Sequence, residues 1–124
     1  MIINLTQHAA TPEQIAAGVI DLDEPARKTL SAMLTFNSIP TAAEIAAIAE
    51  GIAFLADCNV EEAQGQKAMI GGAPWLMGAL EKALLEQRIQ PVYAFSVRES
   101  VEQQQPDGSV RKVNVFRHAG FVIP

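Results

Sequence analysis

The chain has 124 residues, of which 49% are hydrophobic and 19% charged, and its net charge is -5. This length suits one ordinary domain, and so large an apolar share excludes a disordered protein. Fourteen acidic residues against nine basic ones, with no basic stripe, argue against a duplex nucleic-acid binder. A small anionic ligand remains compatible, because one arginine and one helix N-terminus suffice to bind it.

The apolar runs are far shorter than the roughly 20 residues of a membrane span. The N-terminal segment Met1–Leu5 lacks the basic region of a secretory signal, and the single cysteine, Cys58, has no disulfide partner. We therefore expect a cytoplasmic protein with no membrane partner. Two histidines without carboxylates at ligand spacing predict no metal site, and no motif predicts a cofactor.

The first elements are a short strand and two helices. Ile2–Leu5 is apolar and β-branched, which predicts a strand. Thr11–Gln14 combines an N-cap, a first-turn proline and a glutamine at N3, and predicts a short helix that ends at Gly18. A second helix is expected over Pro25–Leu34, with Asp23 as its cap.

The next helix is long. Thr41–Glu44 is a second capping box, and apolar residues with helical periodicity follow it as far as Ala56. Gly51 lies inside this pattern and weakens a helix by roughly 1 kcal/mol relative to alanine. The periodicity nevertheless predicts one continuous helix.

A second strand and a further helix come next. Lys67–Ile70 is a candidate strand that runs into Gly71 and Gly72. Pro74 suits a first helical turn, and the apolar face behind it predicts a helix that ends near Arg88.

The end of the chain is rich in valine and aromatic residues and predicts strands. Pro91–Ser96 is expected to be a buried strand that continues through Val97, Glu99 and Val101, and Pro106–Gly108 is a turn. Val110–Phe116 alternates and should return antiparallel. The order strand, helices, strand, helix, strand predicts a single α/β domain over residues 1–124: a small three-layer Rossmann-like fold with a mainly parallel sheet and a C-terminal antiparallel hairpin.

Candidate site residues follow each predicted parallel strand at its end. They are Thr6, Gln7 and His8 after the first, Gly71 and Gly72 after the second, and Ser96, Arg98 and Glu99 after the third. Ligands bind beyond the carboxyl ends of strands in open parallel sheets, so we expect these three groups to converge on one edge.

The chemistry of these residues points to an anion. Gly71 and Gly72 precede a helix N-terminus and present backbone N–H groups, and Arg98 suits a phosphate. The glycines are equally typical of a plain strand-to-helix turn. The run Ser96–Ser100 is equally typical of an exposed strand with a cross-strand charge pair to Arg111 or Lys112. Our leading hypothesis is binding of a small anionic, nucleotide-like ligand, oriented by Thr6, Gln7 and Ser96.

Two other functions stay open. His8 suits the acid–base group of a metal-independent phosphodiesterase, because imidazole is the side chain most often used for proton transfer, although it is equally a polar residue at a strand end. Glu99 is a base or a partner that orients Arg98. Alternatively, the hairpin over residues 97–118 pairs edge to edge with another copy, so that the chain is a homo-oligomeric interaction module with no ligand. A homodimer is compatible with all three functions.

Three further residues are interpreted from their positions. Trp75, shortly after the glycines, is a core residue or a wall for a planar base. His118 either reaches the same pocket or faces water. Cys58, at the end of an apolar helix, is interpreted as a buried and inert thiol.

Four segments carry a resemblance that covers most of the chain: Asn4–His8, Gly71–Met77, Ala94–Glu102 and Phe116–Val122. They resemble a small, mostly uncharacterised bacterial and phage protein family. The short Rossmann-like plan with an early histidine also resembles small CRISPR-associated proteins, some of which bind or degrade cyclic oligoadenylate messengers. By analogy alone, this second resemblance implies a nucleotide as ligand or substrate.

Overall fold

The computed structural model describes residues 1–124 and contains five strands and four helices. The strands are β1 (Ile2–Asn4), β2 (Val19–Asp21), β3 (Lys67–Met69), β4 (Gln90–Gln104) and β5 (Val110–Val122). The helices are α1 (Pro12–Ala16), α2 (Glu24–Met33), α3 (Ala42–Asn59) and α4 (Pro74–Glu86). No helix combines the length and the apolarity that crossing a bilayer requires.

The five strands form one sheet in the order β2-β1-β3-β4-β5. Strands β1 to β4 are parallel to their neighbours, and β5 is antiparallel to β4. This confirms the predicted α/β, Rossmann-like class with a mainly parallel sheet and a C-terminal hairpin.

Alternate residues of the parallel strands face opposite sides of the sheet. Ile3 and Leu5 belong to a core of 20 buried residues, which α2, α3 and α4 complete. Ile2 faces the other side, within a smaller cluster of four buried residues that Ala10 and Phe121 partly cover. The helices therefore pack around the sheet unequally, with three on one side.

Side-chain caps begin the first three helices, as the sequence predicts. In α1 the Gln14 amide donates to Thr11 Oγ1 at 3.2 Å, and Gln14 Oε1 accepts from the Thr11 amide at 3.0 Å. Asp23 caps α2 and Thr41 caps α3 through the side-chain oxygen alone. The reciprocal bond of the capping box predicted at Thr41 is not formed, because Glu44 Oε1 accepts from the Thr41 hydroxyl instead of the Thr41 amide. These caps satisfy N–H groups that would otherwise lack partners.

Helix α3 continues through Gly51, as predicted, and the structure shows why glycine is tolerated there. A Cβ added at Gly51 would lie 2.5 Å from Met33 Cε at the end of α2. The missing side chain lets α2 approach α3 closely, so packing offsets the weak helix propensity.

Strand β2 is the element that sequence reasoning missed. Its three residues lie between Gly18, which follows α1, and Asp23, which caps α2. Alternation over three residues does not stand out from a loop. The strand forms by pairing with β1 and burying Val19, so the parallel part of the sheet has four strands rather than three.

Strand β4 does not end where the parallel sheet ends. Only Gln90–Val92 pairs with β3, and the strand continues as a long hairpin with β5. A bulge between Phe95 and Ser96 interrupts the pairing and favours a bend. The His118 amide then donates to Glu13 Oε2 of α1 at 3.1 Å. The hairpin therefore curves over the side of the sheet on which α1 lies.

Candidate functional site

A cleft of about 610 Å³ opens at the carboxyl ends of β1 and β3. Five residues predicted for the site line it, namely Thr6, Gln7, His8, Gly71 and Gly72. The other walls come from α1, β4 and the end of β3, through Thr11, Gln14, Met69, Ile70, Tyr93 and Ala94. The lining contains no aspartate, glutamate, lysine or arginine. Two of the three predicted segments therefore meet in one hollow.

Asn4 holds the loop that carries Thr6 and His8. It is a buried polar residue at the end of β1, only 4% exposed. Its Nδ2 donates to the His8 carbonyl oxygen and to Asp21 Oδ1, both at 2.8 Å. Its Oδ1 accepts from the Thr6 amide at 3.0 Å and lies 2.7 Å from Thr6 Oγ1. Every donor and acceptor position of the amide is thus occupied, which stabilises one loop conformation.

Asp21 extends this network to β2. Its Oδ1 also accepts from the Ala10 amide at 3.1 Å. The loop between β1 and α1 is therefore anchored at both ends by neighbouring strands. Sequence reasoning assigned no role to Asn4 or Asp21. The available signal was a lone polar residue at the end of an apolar strand, which needs a partner when it is buried.

Thr6 and Gln7 use part of their hydrogen-bonding capacity within the protein. Thr6 Oγ1 lies close to Asn4 Oδ1 and also 3.1 Å from the His8 carbonyl oxygen, so its single proton is already engaged. Gln7 Nε2 donates to Thr35 Oγ1 at 3.2 Å and has a second N–H. Thr6 therefore positions the loop, whereas Gln7 and the exposed His8 side chain face the cleft.

Gly71 and Gly72 connect β3 to α4 along the other wall. Gly72 has a φ of 138°, a conformation that residues with a side chain rarely adopt. Helix α4 begins at Pro74, and no side chain caps it. The partial positive charge of its N-terminal end is therefore not offset by a capping oxygen next to the cleft.

The third predicted segment does not reach the cleft, and Ser96, Arg98 and Glu99 are absent from its lining. Arg98 lies four residues beyond the last cleft residue of β4, roughly 13 Å along a strand. Its guanidinium carbon is 5.8 Å from the centre of the Phe116 ring. Glu99 forms a cross-strand charge pair at 3.2 Å, but with Arg117 instead of the predicted Arg111 or Lys112. The expected convergence is thus met by two segments only. The continuation of β4 was predicted, but its pairing with β5 carries Ser96, Arg98 and Glu99 beyond the edge of the sheet and away from the cleft.

Tyr93 contributes an aromatic wall with a neutral hydroxyl. The hydroxyl donates to Glu81 Oε2 of α4 at 2.6 Å. Burial, followed by the hydrogen bond and the negative charge of Glu81, raises the pKa of Tyr93 to about 12. At neutral pH the residue is therefore uncharged, and its side chain packs against the larger core, to which Ile70 also belongs.

Three other residues differ from their interpretations. The ring nitrogens of His118 are buried without hydrogen-bond partners, and the ring packs edge-on against Phe121, so it neither lines the cleft nor faces water. Trp75 is 54% exposed and packs edge-on against Phe36, so it is not a core residue, and it does not line the cleft. Cys58 is exposed rather than buried.

The fold and the cleft define a Rossmann-like α/β protein with a hollow of ligand size at the carboxyl edge of its sheet. Residues 1–122 match the sequence model of the uncharacterized protein MJ1673 family, and the chain belongs to this family. No curated protein and no solved structure shows significant similarity to it. No three histidine, cysteine, aspartate or glutamate side chains lie close enough to hold a metal ion.

Proposed function

We propose that this protein binds a small anionic, nucleotide-like ligand in the cleft at the carboxyl edge of the sheet. The observation that carries the proposal is the shared hollow of Thr6–His8 and Gly71–Gly72, two segments far apart in sequence. Its volume of about 610 Å³ lies within the range of pockets that hold small molecules.

The lining supplies both kinds of contact that a nucleotide needs. Backbone N–H groups near Gly72 and the side-chain amides of Gln7 and Gln14 are donors for a phosphate. The ring of Tyr93 lines the cleft and offers an aromatic surface for a base. Because no carboxylate lines the cleft, an anion meets no like charge there.

Calorimetric titration with inorganic phosphate and with mono-, di- and cyclic nucleotides tests this proposal. The resemblance to small CRISPR-associated proteins is the reason to include cyclic oligoadenylates. Ala94→Trp would fill the cleft from an exposed strand position, and Ser100→Trp on the same strand is its matched control. We expect Ala94→Trp to abolish binding and Ser100→Trp to retain it. The proposal would be contradicted if no nucleotide gave a heat of binding, or if Ala94→Trp bound as well as the unmodified protein.

A hydrolytic version of this function uses His8. His8 is exposed and lines the same cleft as the glycines, and its carbonyl oxygen is held by Asn4. In this version His8 takes a proton from water while the water oxygen forms a bond to phosphorus. The P–O ester bond breaks, and the departing alcohol oxygen receives the proton from the imidazolium.

Turnover separates the hydrolytic version from simple binding. We expect His8→Ala to reduce phosphodiester cleavage at least a hundredfold while binding persists, because a general acid–base group contributes roughly that much. His118→Ala, whose ring lies outside the cleft, is the control. Equal turnover by His8→Ala and the unmodified protein would exclude this role.

An interaction module is the alternative function. Its support is the exposure of large apolar side chains on the hairpin, including Phe95, Val97 and Phe116. In that case a second copy covers the hairpin, and the protein is a homodimer. The mass in solution, measured by light scattering at several concentrations, decides between a dimer and a monomer.

A further inference from the structure

A second hollow of about 380 Å³ adjoins the cleft and shares Thr6 and Gln7 with it. Its opposite wall is formed by Glu24, Arg27, Lys28 and Ser31 of α2, together with Leu22. Thr6 and Gln7 therefore separate two hollows that open side by side at the same edge of the sheet. Neither Arg27 nor Lys28 was predicted for the site.

The four α2 residues lie on one helical face, since their spacing matches the helical repeat. This face is held against the loop after β1, because Gln7 Nε2 donates to Thr35 Oγ1 just beyond the helix. Thr35 Oγ1 in turn donates to the Ser31 carbonyl oxygen at 2.7 Å. The position of Arg27 relative to Gln7 is thus set by the fold.

The charges of the two hollows differ. The cleft has no lysine or arginine in its lining, although the proposed ligand is an anion. In the second hollow Lys28 is paired with Glu24 at 3.8 Å, whereas Arg27 forms no ion pair. Arg27 is therefore the uncompensated cation next to the cleft, a role that the sequence assigned to Arg98.

We propose that Arg27 binds a second anionic group of the ligand, so that the preferred ligand is a nucleotide with two or more phosphates. One phosphate lies near Gly72 and another reaches across Gln7 to the guanidinium, with the Ser31 hydroxyl as a further donor. This inference rests on the proposed function, and it assigns a ligand class and a specificity residue to the site.

Calorimetric affinities for adenosine monophosphate, adenosine diphosphate and a dinucleotide with two phosphates test it. We expect the compounds with two phosphates to bind more tightly, and Arg27→Gln to weaken them about tenfold while leaving the monophosphate nearly unchanged. Arg111→Gln, which removes an equal charge from the exposed hairpin, is the matched control. Arg98→Gln should also have no effect, because Arg98 lies outside both hollows.

The outcomes distinguish the two proposals. If all three compounds bind with equal affinity, and Arg27→Gln binds as well as the unmodified protein, the role of Arg27 is overturned while ligand binding stands. If Arg98→Gln rather than Arg27→Gln weakens the diphosphate, the countercharge belongs to the hairpin and this inference is wrong. If none of the compounds binds the unmodified protein, the proposed function itself fails.

Discussion

Asn4 lies at the end of an apolar strand and has hydrogen-bond partners for both its amide protons and its oxygen. It joins the site loop to β2 through His8 and Asp21. The amide is therefore a structural residue of the cleft, and it acts by fixing Thr6 and His8.

We predict that Asn4→Ala lowers the free energy of unfolding by about 1–3 kcal/mol, because it leaves the half-buried Thr6 amide without a partner. Urea denaturation measures this loss. Asn114→Ala, at an exposed position of the hairpin, should change stability by less than about 0.5 kcal/mol. Equal effects at the two positions would show that the buried network contributes little.

The hydrogen bond and burial of Tyr93 predict that the stability of the protein depends on pH. Its pKa rises from the ordinary value of about 10 to about 12 in the folded protein. A proton that the folded state holds more tightly stabilises it fully below pH 10, and this contribution is lost as the pH rises through 12. We expect the free energy of unfolding to fall over this range and to fall less steeply in Tyr93→Phe. Identical pH profiles would contradict the assignment.

The connection between β3 and α4 decides the geometry of the second cleft wall. Gly72 adopts a φ of 138°, whereas Gly71 is not in the left-handed region. A Cβ at Gly71 would meet Thr6 Cγ2 at 3.7 Å, an ordinary contact. Of the two adjacent glycines, only Gly72 has a backbone conformation that requires glycine.

We predict that Gly72→Ala destabilises the protein by about 1 kcal/mol or more, because alanine is strained at this φ. Gly71→Ala should cost less, since the added methyl group fits against Thr6. Thermal or urea unfolding of the two variants makes the comparison. A larger loss for Gly71→Ala than for Gly72→Ala would contradict this account.

The helices were predictable because their signals are local. The residues Thr11, Asp23 and Thr41 cap their own helices within three residues, so their chemistry is visible in the sequence. Strand β2 was not predictable, because its stability comes from pairing with β1, which lies far from it along the chain. The same holds for Asp21, whose partner Asn4 is 17 residues away.

At the scale of the whole molecule, the parallel sheet and the hairpin contribute unequally to the buried core. Every buried residue lies at or before Val92, so the arm formed by β4 and β5 beyond the sheet adds nothing to the buried core. The cleft likewise uses no residue after Ala94. The core and the proposed ligand site are therefore independent of the arm beyond the bulge.

We predict that joining Val97 to Arg117, which are cross-strand partners, through an Asn-Gly turn leaves the protein folded. The free energy of unfolding should change by roughly 1 kcal/mol or less, since exposed positions contribute little. Any homodimer that depends on the hairpin should become a monomer by light scattering. Loss of cooperative unfolding would show that the arm is needed for the fold.

The sequence by itself determined the α/β class, the helix starts and the two cleft segments around Gln7 and Gly72. These follow from periodicity, caps and the rule that strand ends share an edge. The sequence also predicted that β4 continues into a hairpin, but only the tertiary structure decided that this hairpin carries Arg98 away from the cleft, while α2 brings Arg27 beside Gln7. The physical reason is that strand length and helix orientation depend on partners distant in sequence, which local patterns do not encode.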